Sequence, residues 1–370
     1  FHSENFQALS LMQARYRGKV KCVYIDPPYN TDASPIIYKN GYQRSSWASM
    51  MADRLQLDAS LRSEQSILVV AIDDFEYPDL QAILEGIAHG HHHATAVVRS
   101  KPQGRPTTSG FSANHEYAVF WGADESIIGR LPRTGSKAER YPHSDRKGIY
   151  SWANFRKSGT DSDRTDRRRS FYPVFVKAET VRIPQMEWDE NQESWQIKEV
   201  PSNGEEAIWP IDASSLEKVW TCSPERATDE IDDIRVERDG SGRIEIYKKY
   251  RPNQDGALPG TWWDDSQYSA SESGTKVLKE LFGSKDFDFP KSINLVIDCL
   301  RVGNAGPGDV VLDYFAGSGT SGHAVATLNR EDGGNRKVIL VEQGDYFWTV
   351  LLPRLKKIAF TPEWKEGKPK

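Results

Sequence analysis

The sequence predicts an α/β protein in which helices cover both faces of a largely parallel sheet and a mostly β segment interrupts the domain. Short apolar runs alternate with helical patterns at both ends of the chain, which is typical of a parallel sheet covered on both faces. Between about residues 176 and 285 this alternation stops, and tryptophans, prolines and short polar strands replace it. The chain has 370 residues, of which 38% are hydrophobic, so it is long enough for two domains.

The N-terminal third supplies the first strands and helices of the predicted sheet. Buried strands are predicted at residues 20–25 (VKCVYI) and 66–72 (SILVVAI). An amphipathic helix follows each of them, at residues 47–61 and 77–88. The stretch HEYAVFWG at 115–122 is a third strand candidate.

The same alternation returns near the C terminus. Helices are predicted at residues 293–302 and 321–329, and strands at 309–315 and 337–343. One α/β domain is therefore expected to consist of two separate parts of the chain.

The predicted domain boundaries follow from this change of pattern. We expect the α/β domain at residues 1–175 and 286–370, with the mostly β insertion at 176–285. No apolar run is long enough to predict a membrane span. The three cysteines are far apart and form no C-x-x-C pair, which argues against a disulfide framework and favours a reducing, cytoplasmic location.

A glycine loop follows the strand that is predicted to end near Asp313. In VVLDYFAGSGTSGHAV (310–325), Gly317 and Gly319 allow the backbone to turn sharply and to approach a ligand. A second acid, Glu342, ends the next strand, where a carboxylate can accept hydrogen bonds from ribose hydroxyls. A glycine loop alone is shared by many sites, but no Lys-Ser/Thr follows it, which disfavours a P-loop. The ligand is predicted to contain a nucleoside, with or without phosphate.

A second unusual loop, Asp26-Pro27-Pro28-Tyr29, directly follows the first predicted strand. Proline fixes φ near −65° and has no N–H group, so this loop offers carbonyl groups that can only accept hydrogen bonds. Asp26 adds another acceptor, and the Tyr29 ring offers a flat stacking surface. Such a corner suits the exocyclic amino group of a base. A proline turn with a capping aspartate is the alternative interpretation.

These two loops resemble the motif pair of amino-group DNA methyltransferases that use S-adenosylmethionine. D-P-P-Y follows an apolar strand, and D-x-F-x-G-S-G forms the glycine loop. Their order is similar to that of the β class, in which a target recognition module lies between the two motifs. Further stretches look like those of modification (Mod) subunits from type III restriction-modification systems: SENFQALSLMQARYRGKVKCVYIDPPYNT, YQRSSWASMMADRL, HEYAVFW, DSDRTDRRRSFYPVFV and FDFPKSINLVIDCL. The resemblance is weak only from about 180 to 255.

The resemblance implies a Rossmann-like methyltransferase sheet, a target recognition insertion and specific residue roles. The residues that it assigns to catalysis are Asp26, Pro27, Pro28 and Tyr29. The residues that it assigns to S-adenosylmethionine are Asn5, Lys291, Ser292, Asp313, Phe315, Gly317, Gly319, Thr320 and Glu342. Lys291 and Ser292 would hold the methionine end of the cofactor. Asn5 stands near where such enzymes commonly have an Asp beside the adenine.

The implied activity is site-specific methylation of the N6 amino group of an adenine flipped out of duplex DNA. Asp26 and the Pro27 carbonyl would accept the two amino hydrogens, and Tyr29 would stack on the base. The sequence shows no Pro-Cys nucleophile of the kind needed for methylation at a ring carbon. The alternatives are an N4-cytosine enzyme, a methyltransferase acting on protein glutamine or on RNA, and a non-catalytic DNA-binding specificity subunit.

The charge distribution gives a candidate DNA-binding segment. The net charge of −5 does not suggest nucleic acid, but Lys and Arg outnumber Asp and Glu roughly two to one between residues 130 and 180. Within DRTDRRRS, the residues predicted to contact phosphates are Arg164, Arg167, Arg168 and Arg169. A solvated loop is the alternative. The resemblance further implies double-stranded DNA, a Mod homodimer and a helicase-nuclease restriction subunit as partners.

Two further features are interpreted as structural. The run HGHHH at 89–93 has no carboxylate at ligand spacing, so we predict a solvated loop and no metal site. The tryptophans of the predicted insertion are expected to form its small core, with base stacking as the alternative; they are Trp188, Trp195, Trp209, Trp220, Trp262 and Trp263.

Overall fold

A computed structural model describes residues 1–30, 43–87, 90–104, 110–240, 242–284 and 287–370. The helices are α1 Asn5–Tyr16, α2 Gln43–Leu61, α3 Tyr77–Ile87, α4 Ser136–Glu139, α5 Pro224–Asp229, α6 Lys276–Phe282, α7 Ile293–Val302, α8 Thr320–Asp332 and α9 Leu352–Phe360. The strands are β1 Val20–Ile25, β2 Arg62–Ile72, β3 His91–Val98, β4 Glu116–Gly122, β5 His143–Asp145, β6 Gly148–Asn154, β7 Val174–Lys177, β8 Thr180–Arg182, β9 Met186–Asp189, β10 Ser194–Ile197, β11 Glu206–Ile208, β12 Ile234–Arg238, β13 Ile244–Tyr250, β14 Trp262–Trp263, β15 Val310–Asp313, β16 Lys337–Leu340, β17 Trp364–Lys365 and β18 Lys368–Pro369.

The larger of two units comprises Phe1–Pro132 and Ala257–Lys370 and is built on a seven-stranded sheet. The strand order is β14-β3-β4-β2-β1-β15-β16. β1 pairs in parallel with β2 and β15, and β15 pairs in parallel with β16. Strand β4 runs antiparallel to both of its neighbours, β2 and β3. The predicted Rossmann-like sheet is confirmed, with one antiparallel strand inserted in it.

Helices cover both faces of this sheet. Successive residues of a strand point to opposite faces, so each face has its own hydrophobic core. Tyr24 of β1 points into a core with α7 and α8. Its neighbours Val23 and Ile25 belong to the opposite core, with α1, α2 and α3. Full burial of one such aliphatic side chain stabilises the fold by about 1.5–3 kcal/mol. The predicted covering of the sheet by helices on both faces is confirmed.

The smaller unit, Arg133–Gly256, is mostly β and has its own core. Its sheets have the strand orders β12-β13-β6-β5 and β11-β7-β8, and β9 pairs with β10. The rings of Phe155 and Trp220 stack in the core with centroids 4.9 Å apart. The unit begins and ends earlier in the chain than the insertion expected at 176–285.

Two predictions on local structure are wrong. Trp262 and Trp263 form β14 at the edge of the large sheet, paired with Val97 and Val98, and do not belong to the core of the smaller unit. His91–His93 begin strand β3 and do not form a loop, because His91 and His92 pair with the end of β4. His89 lies outside the described residues.

The strand directions bring several acidic residues to one edge of the large sheet. β1 and β15 run in parallel, so Asp26 follows β1 close to where Asp313 ends β15. Because β4 is antiparallel to β2, its first residue, Glu116, lies at the same edge. Within the described residues, no helix is both long enough and apolar enough to cross a membrane. The three cysteines are buried free thiols.

Candidate active site

Hydrogen bonds to neighbouring residues fix the D-P-P-Y corner and the residue that follows it. The indole Nε1 of Trp47 donates to the Pro28 carbonyl at 2.8 Å. The Asn30 side-chain amide donates to Glu76 Oε1 at 2.7 Å. Asn30 has φ of 55°, a left-handed conformation that asparagine tolerates better than most residues. Within the described part of the chain, no hydrogen bond uses the Pro27 carbonyl oxygen.

Lys291 joins the D-P-P-Y corner to an acid, Glu116, to which the sequence analysis assigned no role. Its Nζ lies 3.2 Å from Asp26 Oδ1 and 2.8 Å from Glu116 Oε2, and it also donates to the Tyr29 hydroxyl. The Tyr29 hydroxyl in turn lies 3.2 Å from the same Glu116 oxygen. Nζ is 4.6 Å from the centre of the Tyr29 ring, a cation–π distance. Asp26, Tyr29, Glu116 and Lys291 therefore form one polar cluster, called here the corner cluster.

Burial and charge act in opposite directions on the ionisable groups of the corner cluster. Burial raises the pKa of Asp26, and the neighbouring Lys291 ammonium partly opposes this. For Lys291, burial acts to lower the pKa, but the negative charges of Asp26 and Glu116 outweigh it and the pKa is raised. Burial is also the main reason why the pKa of Tyr29 is raised. The lysine is therefore cationic at neutral pH and favours the ionised form of Asp26.

The glycine loop lies at the end of β15 and leads into α8. Gly317 and Gly319 have φ of 52° and 79°, left-handed conformations that glycine adopts without the penalty of a Cβ atom. Asp313 accepts the Phe315 backbone N–H at 3.0 Å and the Ser321 hydroxyl. Its burial raises the pKa of the carboxyl to about 7. The aspartate thus fixes both the start of the loop and the first turn of the helix.

Glu342 lies beside the same loop and connects it to the segment after β16. One oxygen accepts the Gly317 N–H at 2.8 Å. The other accepts the Gly344 N–H at 2.8 Å and the Tyr346 hydroxyl at 2.9 Å. A carboxylate offers about four acceptor positions, so Glu342 can accept a further hydrogen bond from a ligand hydroxyl.

A buried arginine supports the glycine loop from below. Arg354 of α9 is fully buried and donates to the hydroxyls of Ser318 and Thr320 at 2.9 and 3.0 Å. It also donates to the Ser318 carbonyl at 3.3 Å and contacts His323 Nδ1 at 3.3 Å. Burial lowers the pKa of Arg354 to about 9, so it remains charged at neutral pH. No local motif around Arg354 marks this role in the sequence.

The remaining predicted cofactor residues lie near the loop or the corner but already have protein partners. The Ser292 hydroxyl accepts the Leu295 N–H at 3.3 Å, as the N-cap of α7, and donates to the Gln267 carbonyl at 2.9 Å. The Asn5 amide donates to the Tyr314 carbonyl at 3.0 Å, directly after Asp313. Asn5 therefore lies close to the glycine loop in the folded chain, although the two are far apart in sequence.

The predicted DNA-binding arginines lie in the smaller unit, and three of them form ion pairs. Arg164 contacts Glu217 at 2.9 Å, and Arg168 and Arg169 contact Glu193 and Glu190. Exposed ion pairs contribute only about 0–1 kcal/mol, so phosphates can compete for these side chains. Arg167 is exposed and has no ion-pair partner among the described residues.

No metal centre accompanies these sites in the described ranges. Over those residues, no group of three or more His, Cys, Asp and Glu side chains is arranged to hold a metal ion. His92 and His93 instead contact Thr95 and Ser126 at 2.8 and 2.7 Å.

Known proteins are similar to this chain over most of its length. The family model described as DNA methylase, for N6 and N4 methyltransferases, matches residues 20–351. The type II methyltransferase M.KpnI of Klebsiella pneumoniae is 31% identical over 329 residues, which cover 86% of this chain and 74% of that protein. The EcoPI Mod subunit of the type III restriction-modification enzyme of Escherichia phage P1 is 28% identical over 381 residues, covering 92% of this chain and 57% of that subunit.

A solved structure of the M1.HpyAVI–SAM complex aligns with 96% of this chain and 97% of its own, at 12% identity and a TM-score of 0.46. This chain spans only about half the length of some type III relatives, such as the StyLTI Mod subunit of Salmonella typhimurium, of which it covers 51%. With a family match over residues 20–351 and 31% identity to M.KpnI, the chain belongs to the DNA methylase family.

Proposed function

We propose that this chain transfers a methyl group from S-adenosylmethionine to the N6 amino group of an adenine in duplex DNA. The observation that carries the proposal is the fixed D-P-P-Y corner at the same sheet edge as the glycine loop. Asp26 and the Pro27 carbonyl offer two acceptors beside the Tyr29 ring, and Asp313 and Glu342 fix the loop nearby. Membership of the DNA methylase family supports this assignment of the two loops.

The residues of the corner act on an amine that is a poor nucleophile, because its lone pair is delocalised into the adenine ring. The Asp26 carboxylate accepts one amino hydrogen and the Pro27 carbonyl accepts the other, which draws the nitrogen towards tetrahedral geometry and frees its lone pair. When bound, S-adenosylmethionine supplies an electrophilic sulfonium methyl group. Methyl transfer would form an N–C bond as the bond between the sulfonium sulfur and the methyl group breaks, which would leave a neutral thioether. Asp26, which accepts an amino hydrogen, would take the proton that the amino nitrogen then loses. Acceptors fixed in advance need little reorganisation during reaction.

Tyr29 is proposed to stack on the adenine after the base leaves the duplex. Flipping costs a few kcal/mol of stacking and pairing, and stacking on an aromatic side chain returns about 1–3 kcal/mol. The Tyr29 ring has a fixed orientation, because its hydroxyl contacts both Glu116 and Lys291. The ring is therefore prepared for the base before DNA binds.

The cofactor is proposed to lie along the glycine loop. Asp313 and Glu342 would accept hydrogen bonds from its hydroxyl and amino groups, and Gly317 and Gly319 allow close approach of the backbone. The other residues proposed to line this site are Asn5, Lys291, Ser292, Phe315 and Thr320. The fit is supported by the acceptor position that remains on Glu342, since a ribose hydroxyl needs an acceptor there.

The smaller unit is proposed to recognise the DNA target, with Arg164, Arg167, Arg168 and Arg169 on phosphates. Several relatives are named as type III Mod subunits, which supports a restriction-modification role. By the same analogy we propose a Mod homodimer, association with a restriction subunit and a cytoplasmic location.

Sequencing of modified bases in DNA from cells that express the protein tests the proposal. We expect N6-methyladenine at one short sequence motif, and none in cells that express Asp26→Ala. N4-methylcytosine at a motif would instead show the cytosine-specific activity of the same family. Unmodified DNA from cells that contain folded wild-type protein would contradict the proposed function.

A further inference from the structure

Glu116 lies within the stretch HEYAVFW and occupies a central place in the corner cluster, a role that the resemblance does not assign to it. It is the first residue of β4, and its register opposite Val98 directs it to the sheet edge that carries Asp26. The residue is 6% exposed. One carboxylate oxygen, Oε2, contacts both the Lys291 ammonium and the Tyr29 hydroxyl. A buried carboxylate with two such partners constrains both of them.

The distances show which acid holds the lysine more closely. Lys291 Nζ is 2.8 Å from Glu116 and 3.2 Å from Asp26. Both acids are needed to place the ammonium where it is, because a cation attracted by one acid alone would move towards it. If Lys291 were held by Asp26 alone, the ammonium would cover the oxygen that the target amine requires. Glu116 therefore competes with Asp26 for the lysine.

We propose that Glu116 is a positioning residue for methyl transfer: it holds the Lys291 ammonium and the Tyr29 hydroxyl, so that Asp26 stays available to the target amino group. This inference rests on the proposed function of the corner. It assigns Glu116 no contact with the substrate. Its effect passes through Lys291 and Tyr29, and it should alter the rate of transfer more than the affinity for DNA.

The first test is the Glu116→Gln variant, which keeps the side-chain shape and one acceptor oxygen but removes the charge. With Glu116 neutral, Lys291 moves towards Asp26 and covers its acceptor. We expect the single-turnover rate at saturating cofactor and DNA to fall by about tenfold or more, with the Kd for DNA changed little. Glu116→Asp keeps the charge, so it should retain more activity than Glu116→Gln.

Asp298→Asn is the matched control. Asp298 of α7 is also buried, accepts the Tyr268 hydroxyl at 2.8 Å and pairs with Arg301 at 2.9 Å. It therefore has the same kinds of partner as Glu116 but is not part of the corner cluster. The Asp298→Asn variant should transfer methyl groups at the wild-type rate. Equal losses of rate in both variants, in proportion to their loss of thermal stability, would show that Glu116 is only structural.

A double-mutant cycle with Lys291→Met tests the proposed route through the lysine. Methionine cannot cover the Asp26 acceptor, so the loss caused by Glu116→Gln should largely disappear in the Lys291→Met background. Effects that simply multiply would contradict the proposal. A wild-type rate in Glu116→Gln would also contradict the positioning role of Glu116, but it would leave the proposed function of the chain intact. An inactive wild-type protein would instead contradict the proposed function itself. If Glu116→Gln does not fold, the same cycle with Glu116→Met, which also removes the charge and has a similar length, gives the same decision.

Discussion

Asp313 is predicted to lower the stability of the folded chain at neutral and alkaline pH. The residue is 2% exposed, and burial raises the pKa of its carboxyl from 3.8 to about 7. Because the folded-state pKa lies above the unfolded value, the native state keeps a proton that the unfolded chain has already lost. The stabilisation due to this proton is present below about pH 4 and is lost as the pH rises to about 7. A difference of about three pKa units corresponds to about 4 kcal/mol of unfolding free energy.

The Asp313→Asn substitution removes this titration and keeps the shape of the side chain. Its amide oxygen can accept the Phe315 N–H, and its amide N–H can donate to the Ser321 hydroxyl, so both contacts of the aspartate have a replacement. Relative to wild type, we therefore expect the variant to gain about 2–4 kcal/mol of unfolding free energy at pH 8 and almost nothing at pH 4.

Urea unfolding followed by circular dichroism, without cofactor and across this pH range, measures the effect. The difference between the two proteins is the relevant quantity, because Asp58, whose burial raises its pKa to about 6, titrates in both of them. The reasoning would be refuted if the unfolding free energies of wild type and Asp313→Asn changed by the same amount between pH 4 and pH 8.

Three further predictions concern the cofactor, the DNA and the flipped base. Calorimetry should find one S-adenosylmethionine site per chain. Glu342→Ala should weaken the affinity for S-adenosylmethionine by about tenfold or more, because a buried acceptor for a ligand hydroxyl is lost. Unchanged affinity would exclude Glu342 from the site. Arg167→Gln should lower the steepness of the dependence of log K for DNA on log salt by about 0.9. Arg164→Gln should lower it less, because Arg164 is already paired with Glu217 at 2.9 Å. Equal slopes in wild type and both variants would show that Arg167 makes no phosphate contact. Tyr29→Ala should slow methylation, and a mismatch opposite the target adenine should partly restore the rate because flipping then costs less; an equal defect on matched and mismatched DNA would contradict the stacking role.

The elements that could be predicted from the sequence are those with a local signal. Strand β1 and helix α7 have the predicted bounds, Val20–Ile25 and Ile293–Val302. An apolar run determines the first, and the Ser292 cap and apolar periodicity determine the second. The direction of β4 could not be predicted, because antiparallel pairing with β2 depends on contacts between distant segments.

The limits of the inserted unit show the same dependence on distant contacts. Composition placed the insertion at 176–285, whereas the compact unit is Arg133–Gly256. Trp262 and Trp263 look like the tryptophans of the insertion, yet they pair with β3 in the large sheet. Aromatic composition identifies buried residues but does not indicate which core they enter.

The residues of the candidate site also fall into those that a local motif predicts and those that only the tertiary structure brings together. Asp26, Asp313 and Glu342 stand in or next to short motifs at strand ends, so their place at one sheet edge follows from the fold class. Glu116 lies in the stretch HEYAVFW without an assigned role, and Arg354 lies in no motif. Each contacts its loop only through the tertiary structure. Glu116, for example, is 175 residues away from the Lys291 that it contacts.

The rate of methyl transfer by Asp26→Ala tests the central claim most directly. The substitution removes one acceptor of the corner, while Glu116 still holds Lys291 and the glycine loop is not altered. The single-turnover rate on duplex DNA should fall by at least about a hundredfold, the loss typical of a fixed polar contact at a reacting centre. Cofactor and DNA affinities should change little. A folded Asp26→Ala protein that methylates DNA at near the wild-type rate would show that the D-P-P-Y corner is not the catalytic site.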